Sequence, residues 1–293
     1  MELFLQQTVD GLASGAVYGA FALALVLIHR ATHIVNFGQG EMATFTVYVA
    51  WQLAEWGLPL WLALAAGAAL AFVLGVAVFR AVVRPVSRAP VETVVVVTLG
   101  LFLLFDALSL WLWGSDQRAF PSVFPDHGWT VGGVRLTAAM LGVLAVLGAL
   151  AIVLGALFRY TRFGLAMRAS AAEREKSVLV GIRVETMLMF GWGLAAVVGF
   201  LAAALVAPRL FLSPVMMAPV LIYALASATL GGWDSPVGAV LGGLLIGVAE
   251  SVGAAFLSFI GAELRLAIPI AVTLAILFIR PAGLFGKQGV VRV

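Results

Sequence analysis

Six polar side chains stand where the surrounding sequence is otherwise apolar. Asn36, Gln39 and Glu41 fall in NFGQGEM, residues 36–42. Asp234 falls in GGWDSPVG, residues 231–238, and Asp106 and Glu250 interrupt long apolar runs. An ionisable group inside a lipid-embedded helix costs roughly 2.5–3.5 kcal/mol by insertion scales, so each one is a candidate functional group. Glu41 reads as a gate or path residue, or as the acid of a capped helix start near water. Asp106 reads as a hydrogen bond to a neighbouring helix or as a solute contact, and Glu250 stands mid-way along its apolar run, one turn beyond Gly247. Asn36 and Gln39 can offer amides to a zwitterionic solute, or satisfy backbone freed by the break. Glu92, at a span end, reads as solvated.

Other chemistry has no support. The chain has no cysteine, and His29, His33 and His127 lack metal-ligand spacing. Neither H-E-x-x-H nor G-x-S-x-G occurs. The phosphate-cradling G-x-x-x-x-G-K-[ST] is also missing, since Gly283-Leu-Phe-Gly-Lys287-Gln is too short and lacks the hydroxyl. No cofactor is expected in this chain, and energy for any pumping must come from another subunit or from an ion gradient.

Composition fixes the setting of these groups. Of 293 residues, 63% are hydrophobic and 11% are Asp, Glu, Lys or Arg, against about 45–50% and about 25% in soluble domains. That much apolar surface must face lipid or other lipid-embedded helices, which argues against a nucleic-acid module, a disordered chain or a soluble enzyme. A span needs about 20 apolar residues. The expected fold is an all-α polytopic membrane protein of eight or nine transmembrane helices, some broken or short, forming one domain over 1–293. Spans are expected near 9–29, 36–55, 60–79, 91–113, 136–158, 184–206, 217–231, 237–258 and 265–280. The short seventh reads as a half-helix or a re-entrant piece. The amino terminus carries Glu2 and Asp10 and no basic cluster, unlike a secretory signal.

Threading nine spans places thirteen basic residues on one side: Arg30, Arg80, Arg84, Arg88, Arg159, Arg162, Arg168, Arg174, Lys176, Arg183, Arg280, Lys287 and Arg292. Arg118, Arg135, Arg209 and Arg265 fall on the other. The positive-inside rule puts the thirteen in the cytoplasm. The amino terminus is then outside, the carboxyl terminus inside, and 114–135 is the main external loop. Gly11, Gly15 and Gly19, and likewise Gly238, Gly242, Gly243 and Gly247, form small-residue stripes that let helices approach closely. Glycine-rich polar breaks in two halves of a transporter tend to line a path, and Pro236 suits the first turn of the helix after the second break.

The 159–183 loop predicts one capped amphipathic helix of about three turns. Ser170 and Glu173 have capping-box spacing, Gly181 supplies a left-handed stop with Ile182 folding back, and Glu173 can pair with Lys176. Ala171, Val178, Leu179 and Ile182 would share an apolar face. Such a helix either lies on the inner leaflet or plugs into a groove on a cytoplasmic partner; its glutamates favour the partner.

Four blocks of sequence resemble the permeases of branched-chain amino acid ABC importers, most nearly the shorter of the two permeases that such importers pair. They are GLASGAVYGAFALALVL with VNFGQGE (Val35 to Glu41), G164-LAMRA with VLVGI ending at Ile182, the glycine signature, and the tail. The signature comprises Gly231, Gly232, Ser235, Gly238, Ala239, Gly242, Gly243, Gly247 and Glu250, and the tail is Arg280-Pro-Ala-Gly-Leu-Phe-Gly286. The sequence departs from the family pattern at Asp234 (usually Gly), at Gly38 and Gln39 (commonly Ala and His) and at Ser177 (usually Ala). The resemblance implies a prokaryotic inner-membrane subunit that couples to an ATPase through Arg168, Ser170, Glu173, Lys176 and Gly181. It further implies two ATPase chains, a second homologous permease and an extracytoplasmic solute-binding protein, with ATP hydrolysed by the partners. Related importers carry amides or urea, so the solute stays open. An ion-coupled secondary transporter using Asp106 and Glu250 as proton carriers is the alternative, and a non-transporting scaffold is a third class.

Overall fold

A computed structural model describes residues 1–87, 89–256 and 266–286. Arg88, Arg265, Lys287, Arg292 and the end of the eighth expected span at 257–258 lie outside the described residues, as do the side chains of Ala171, Ala172, Arg174 and Glu175.

Helices occupy all nine expected spans: α1 (Glu2–Thr32), α2 (Gln39–Glu55), α3 (Leu60–Val78), α5 (Val91–Trp113), α6 (Ala138–Tyr160), α9 (Val184–Leu210), α10 (Met217–Gly231), α11 (Pro236–Phe256) and α12 (Ala267–Ile279). Six are long and apolar enough to cross a membrane, counting α3 with its continuation, while α10 and α12 are shorter apolar helices. The chain is a multi-pass, all-α membrane protein. A π-helical turn, Phe79–Val83, and the three-residue α4 (Arg84–Val86) extend α3. A hairpin, β1 (Gly128–Val131) with β2 (Val134–Thr137), was not expected. Its turn residues Gly132 and Gly133 both have positive φ, the two-residue geometry that Gly-Gly favours.

The chain divides into two compact units. The first comprises 1–26, 124–151 and 222–293, and the second 27–123 and 152–221. In the first unit, the stripes of α1 and α11 pack backbone to backbone. A Cβ on Gly11 would stand 2.6 Å from Val248 Cα, and one on Gly19 would stand 2.9 Å from the Val240 carbonyl oxygen. Lipid tails give apolar helices no hydrophobic reason to associate, so this close approach supplies the dispersion contact. Tyr18 stacks on Tyr223 at 4.5 Å, and Ser251 donates to Gln7 at 2.8 Å. The tail folds under α10, with the amides of Leu284 and Phe285 donating to the Leu230 and Gly231 carbonyls.

The second unit is built on α2, α3, α5 and α9. Gly75 lets α3 approach the Trp192 carbonyl of α9, and Gly67 admits the Phe200 ring. One end of this unit is basic. There Arg84 pairs with Glu185 at 2.9 Å, and Arg80 borders a groove with Val178 and Ile182. At the opposite end Arg118 and Leu212 exchange backbone hydrogen bonds, and Trp51 donates to the Ala119 carbonyl. The two basic loops expected to share a side therefore do so.

Candidate functional site

The first break is a short irregular stretch. After α1 ends, residues 34–36 run without regular structure, and Phe37 and Gly38 turn into α2. Asn36 closes that turn by accepting the Gly38 amide on Oδ1 at 3.1 Å, and its Nδ2 donates to Gln39 Oε1 at 3.1 Å. Gln39 in turn donates to the Ala195 carbonyl of α9 at 3.0 Å. Ala195 lies eleven residues into α9, about 16 Å from its start at 1.5 Å per residue. Glu41 lies in the first turn of α2, at the expected end of the second span, and the bond to Ala195 holds that turn part-way along α9.

Glu41 neither caps its helix nor meets water. Its side chain is completely buried. The Gly38 amide, which a third-position acid would take in a capping box, is already held by Asn36. Neither carboxylate oxygen has a hydrogen-bond partner among the described residues. Asp106 on α5 is half-buried. Four of the six candidates thus belong to the second unit, with Asn36 bonded directly to Gln39.

Asp234 and Glu250 belong to the first unit and are well separated. Asp234 is exposed in the second break, whereas Glu250 is buried fourteen residues into α11, about 21 Å along it. Glu250 makes interactions of its own. Pro236 begins α11 as expected, and Ser235 caps it by accepting the Gly238 amide at 3.0 Å.

The 159–183 loop differs from its expected form. It holds two helices, α7 (Arg162–Ala172) and α8 (Arg174–Leu179), broken at Glu173. Ser170 is not the cap. It lies inside α7, is buried, and its hydroxyl has no partner among the described residues. Thr161 caps instead, accepting the Gly164 amide at 2.9 Å. Tertiary packing overrides the local capping signature: Met167 of α7 is buried at the Gly191 position of α9, which holds the helix together through residue 170. The other end is as expected. Gly181 has φ +82°, its amide donates to Val178, and the Ile182 amide donates to Ser177, a complete Schellman motif. Lys176 pairs with Glu173 at 3.2 Å. Val178, Leu179 and Val180 are left exposed. Arg168 lines a small pocket with Arg30, Leu27 and Leu188.

An aromatic cluster that the sequence reading missed lies on the α5-facing side of α2. Tyr48 stacks on Trp113 at 4.8 Å, Phe45 meets both Phe105 and Trp113 edge-on, and Trp113 donates to Gln52 at 3.2 Å. The i, i+4, i+7, i+11 spacing of Glu41, Phe45, Tyr48 and Gln52 was the available signal. Arg118 lies 4.8 Å over the Trp51 ring. Among the described residues no cluster of His, Cys, Asp or Glu could hold a metal.

Comparison with known proteins agrees with the four sequence blocks. The chain is 27% identical over 310 residues to the high-affinity branched-chain amino acid transport system permease protein LivH of Escherichia coli (strain K12), covering 99% of this chain and 98% of LivH. It is 26% identical over 304 residues to the corresponding protein BraD of Pseudomonas aeruginosa, again covering 99% and 98%. Among solved structures, PsaBC from Streptococcus pneumoniae in complex with Fab has a TM-score of 0.48 at 15% identity, over 96% of this chain and 93% of that one. The family described as branched-chain amino acid transport system / permease component matches residues 7–277, and the chain belongs to that family.

Proposed function

We propose that this chain is a permease subunit of an ATP-binding-cassette importer that carries branched-chain or related amino acids inward. The family match across 7–277 supports this reading. The observation that carries it is the terminated rod α7–α8, whose exposed Val178, Leu179 and Val180 sit at the basic end of the second unit. Apolar side chains on a short helix without a core of its own are suited to a partner's groove. In this reading two ATPase chains bind ATP and close, the rod moves with them, and α9 transmits that motion to the start of α2. Arg168, Ser170, Glu173, Lys176 and Gly181 make up the coupling element. Asn36, Gln39, Glu41 and Asp106 line the path in one unit, with Asp234 and Glu250 assigned to it in the other.

A second homologous permease completes the pore, and an extracytoplasmic binding protein delivers the solute. The chain itself has no phosphate cradle and hydrolyses nothing. The whole of 1–293 acts as one permease domain in a prokaryotic inner membrane, with the amino terminus outside and the carboxyl terminus cytoplasmic.

Reconstitution with its ATPase and permease partners tests the reading. ATP-driven uptake of leucine should require the ATPase chains and vanish when residues 171–180 are deleted from a chain that still inserts. Uptake by this chain alone, driven by a pH gradient and indifferent to ATP, would instead identify an ion-coupled carrier.

A further inference from the structure

Glu41 is a buried acid for which the described residues offer no partner. A charge buried without compensation is expensive, so acids are found inside membranes where something pairs with them. It is not the cap of α2, because Asn36 holds the Gly38 amide, and its side chain has no exposed surface.

The direction in which Glu41 points follows from its neighbours. On α2, Phe45, Tyr48 and Gln52 all touch rings or indole nitrogen of α5. Glu41 is one turn before Phe45 on the same face. A Cβ on Gly38 would meet Leu101 and Phe102, while Phe45 meets Phe105. Glu41, between those two levels, is therefore beside the turn of α5 that carries Asp106. The α2–α5 seam carries acids at this level and, further along, the mutually packed rings of Phe45, Phe105, Tyr48 and Trp113. Two more buried oxygens on the seam, Tyr48 Oη and Ser109 Oγ, have no hydrogen-bond partner among the described residues.

We propose that this seam is the solute subsite of the path, with Glu41 receiving the ammonium group of the amino acid and Asp106 supporting it. The aromatic turn takes the apolar side chain. The proposal rests on the importer reading above and adds to it a named group and its chemistry. An organic ammonium suits the site better than a bare metal ion, because two carboxyl groups are too few to replace a metal's hydration shell.

The test uses the complete importer in proteoliposomes, with the leucine-loaded binding protein outside and ATP inside, and reads leucine carried per ATP hydrolysed. Glu41→Gln should lower that ratio at least tenfold, and Glu41→Asp should recover part of it. An unchanged ratio in Glu41→Gln overturns the proposal. So does a variant that keeps its ratio and loses only a pH dependence present in the parent, which would make Glu41 a proton carrier. If the parent complex itself carries no amino acid, the importer reading fails instead.

Should Glu41→Gln not assemble, Ser109→Cys probes the seam with Glu41 intact, since the chain has no other cysteine. During turnover a cationic thiosulfonate reagent should modify it at least ten times faster than an anionic one, and leucine should slow that reaction. Equal rates, or no reaction in any state, overturn the proposal.

Discussion

Gly15 of α1 lies so close to Gly243 of α11 that a Cβ added to it would stand 2.6 Å from the Gly243 carbonyl oxygen. The obstacle is backbone on both sides, so no rotamer change can relieve it. Gly15→Val should therefore separate the two helices and cost about 1–3 kcal/mol as an overpacked contact, read as a lower melting temperature in detergent. Gly100 on α5 is the control. A Cβ there meets nothing within 4 Å, and Gly100→Ala should hold or raise the melting temperature, since alanine favours helix by up to about 1 kcal/mol. Equal melting of the Gly15→Val variant and the parent would remove the stripe from the list of packing determinants.

The end of the rod rests on Gly181, whose φ of +82° is strained for any side chain. Gly181→Val should cost roughly 1–2 kcal/mol locally and fray the Ile182–Ser177 hydrogen bond. Because α8 is short and peripheral, the melting temperature should move little. ATP-driven uptake should fall several-fold at unchanged membrane content. Parent-like uptake would mean that the termination of the rod is irrelevant to coupling.

The places where sequence reading succeeded and failed share a physical cause. The spans were legible because a bilayer demands long apolar runs, and both α10 and the Gly181 stop carry their signals within a few residues. Ser170 misled because a capping box is equally local: nothing in S-A-A-E reveals that Met167, one turn back, is buried against Gly191 and carries the helix past the serine. The hairpin carries a local signal of its own, Gly132-Gly133 between alternating residues, but it is short and set between long apolar helices. The depth of Glu41 had no local signal at all. It depends on a hydrogen bond from Gln39 to Ala195, a partner 156 residues away.

Arg118 ties the far end of the second unit together. Its guanidinium donates to the Trp113 carbonyl at 2.9 Å, at the end of α5, and covers the Trp51 ring. A cation there also meets the negative end of the helix dipole. Arg118→Gln keeps the backbone pairing with Leu212 but loses both side-chain contacts, a loss of about 1–3 kcal/mol. Arg118→Lys should fall between, since an ammonium lacks the flat stacking face. A double-mutant cycle with Trp51→Leu should be non-additive by melting temperature. Strict additivity would show that the ring and the cation act separately.

Sidedness is open to a direct chemical test because the native chain contains no cysteine. The second unit presents Gln117 at the aromatic end and Lys176 at the basic end, and both are exposed. The basic end gathers Arg80, Arg84, Arg168 and Arg183, and translocating such a cluster is unfavourable during insertion. A membrane-impermeant maleimide added to intact cells should therefore label Gln117→Cys and spare Lys176→Cys until the membrane is opened. The reverse pattern would put the terminated rod outside, away from any nucleotide-hydrolysing partner, and the coupling role proposed for α7 and α8 would fall with it.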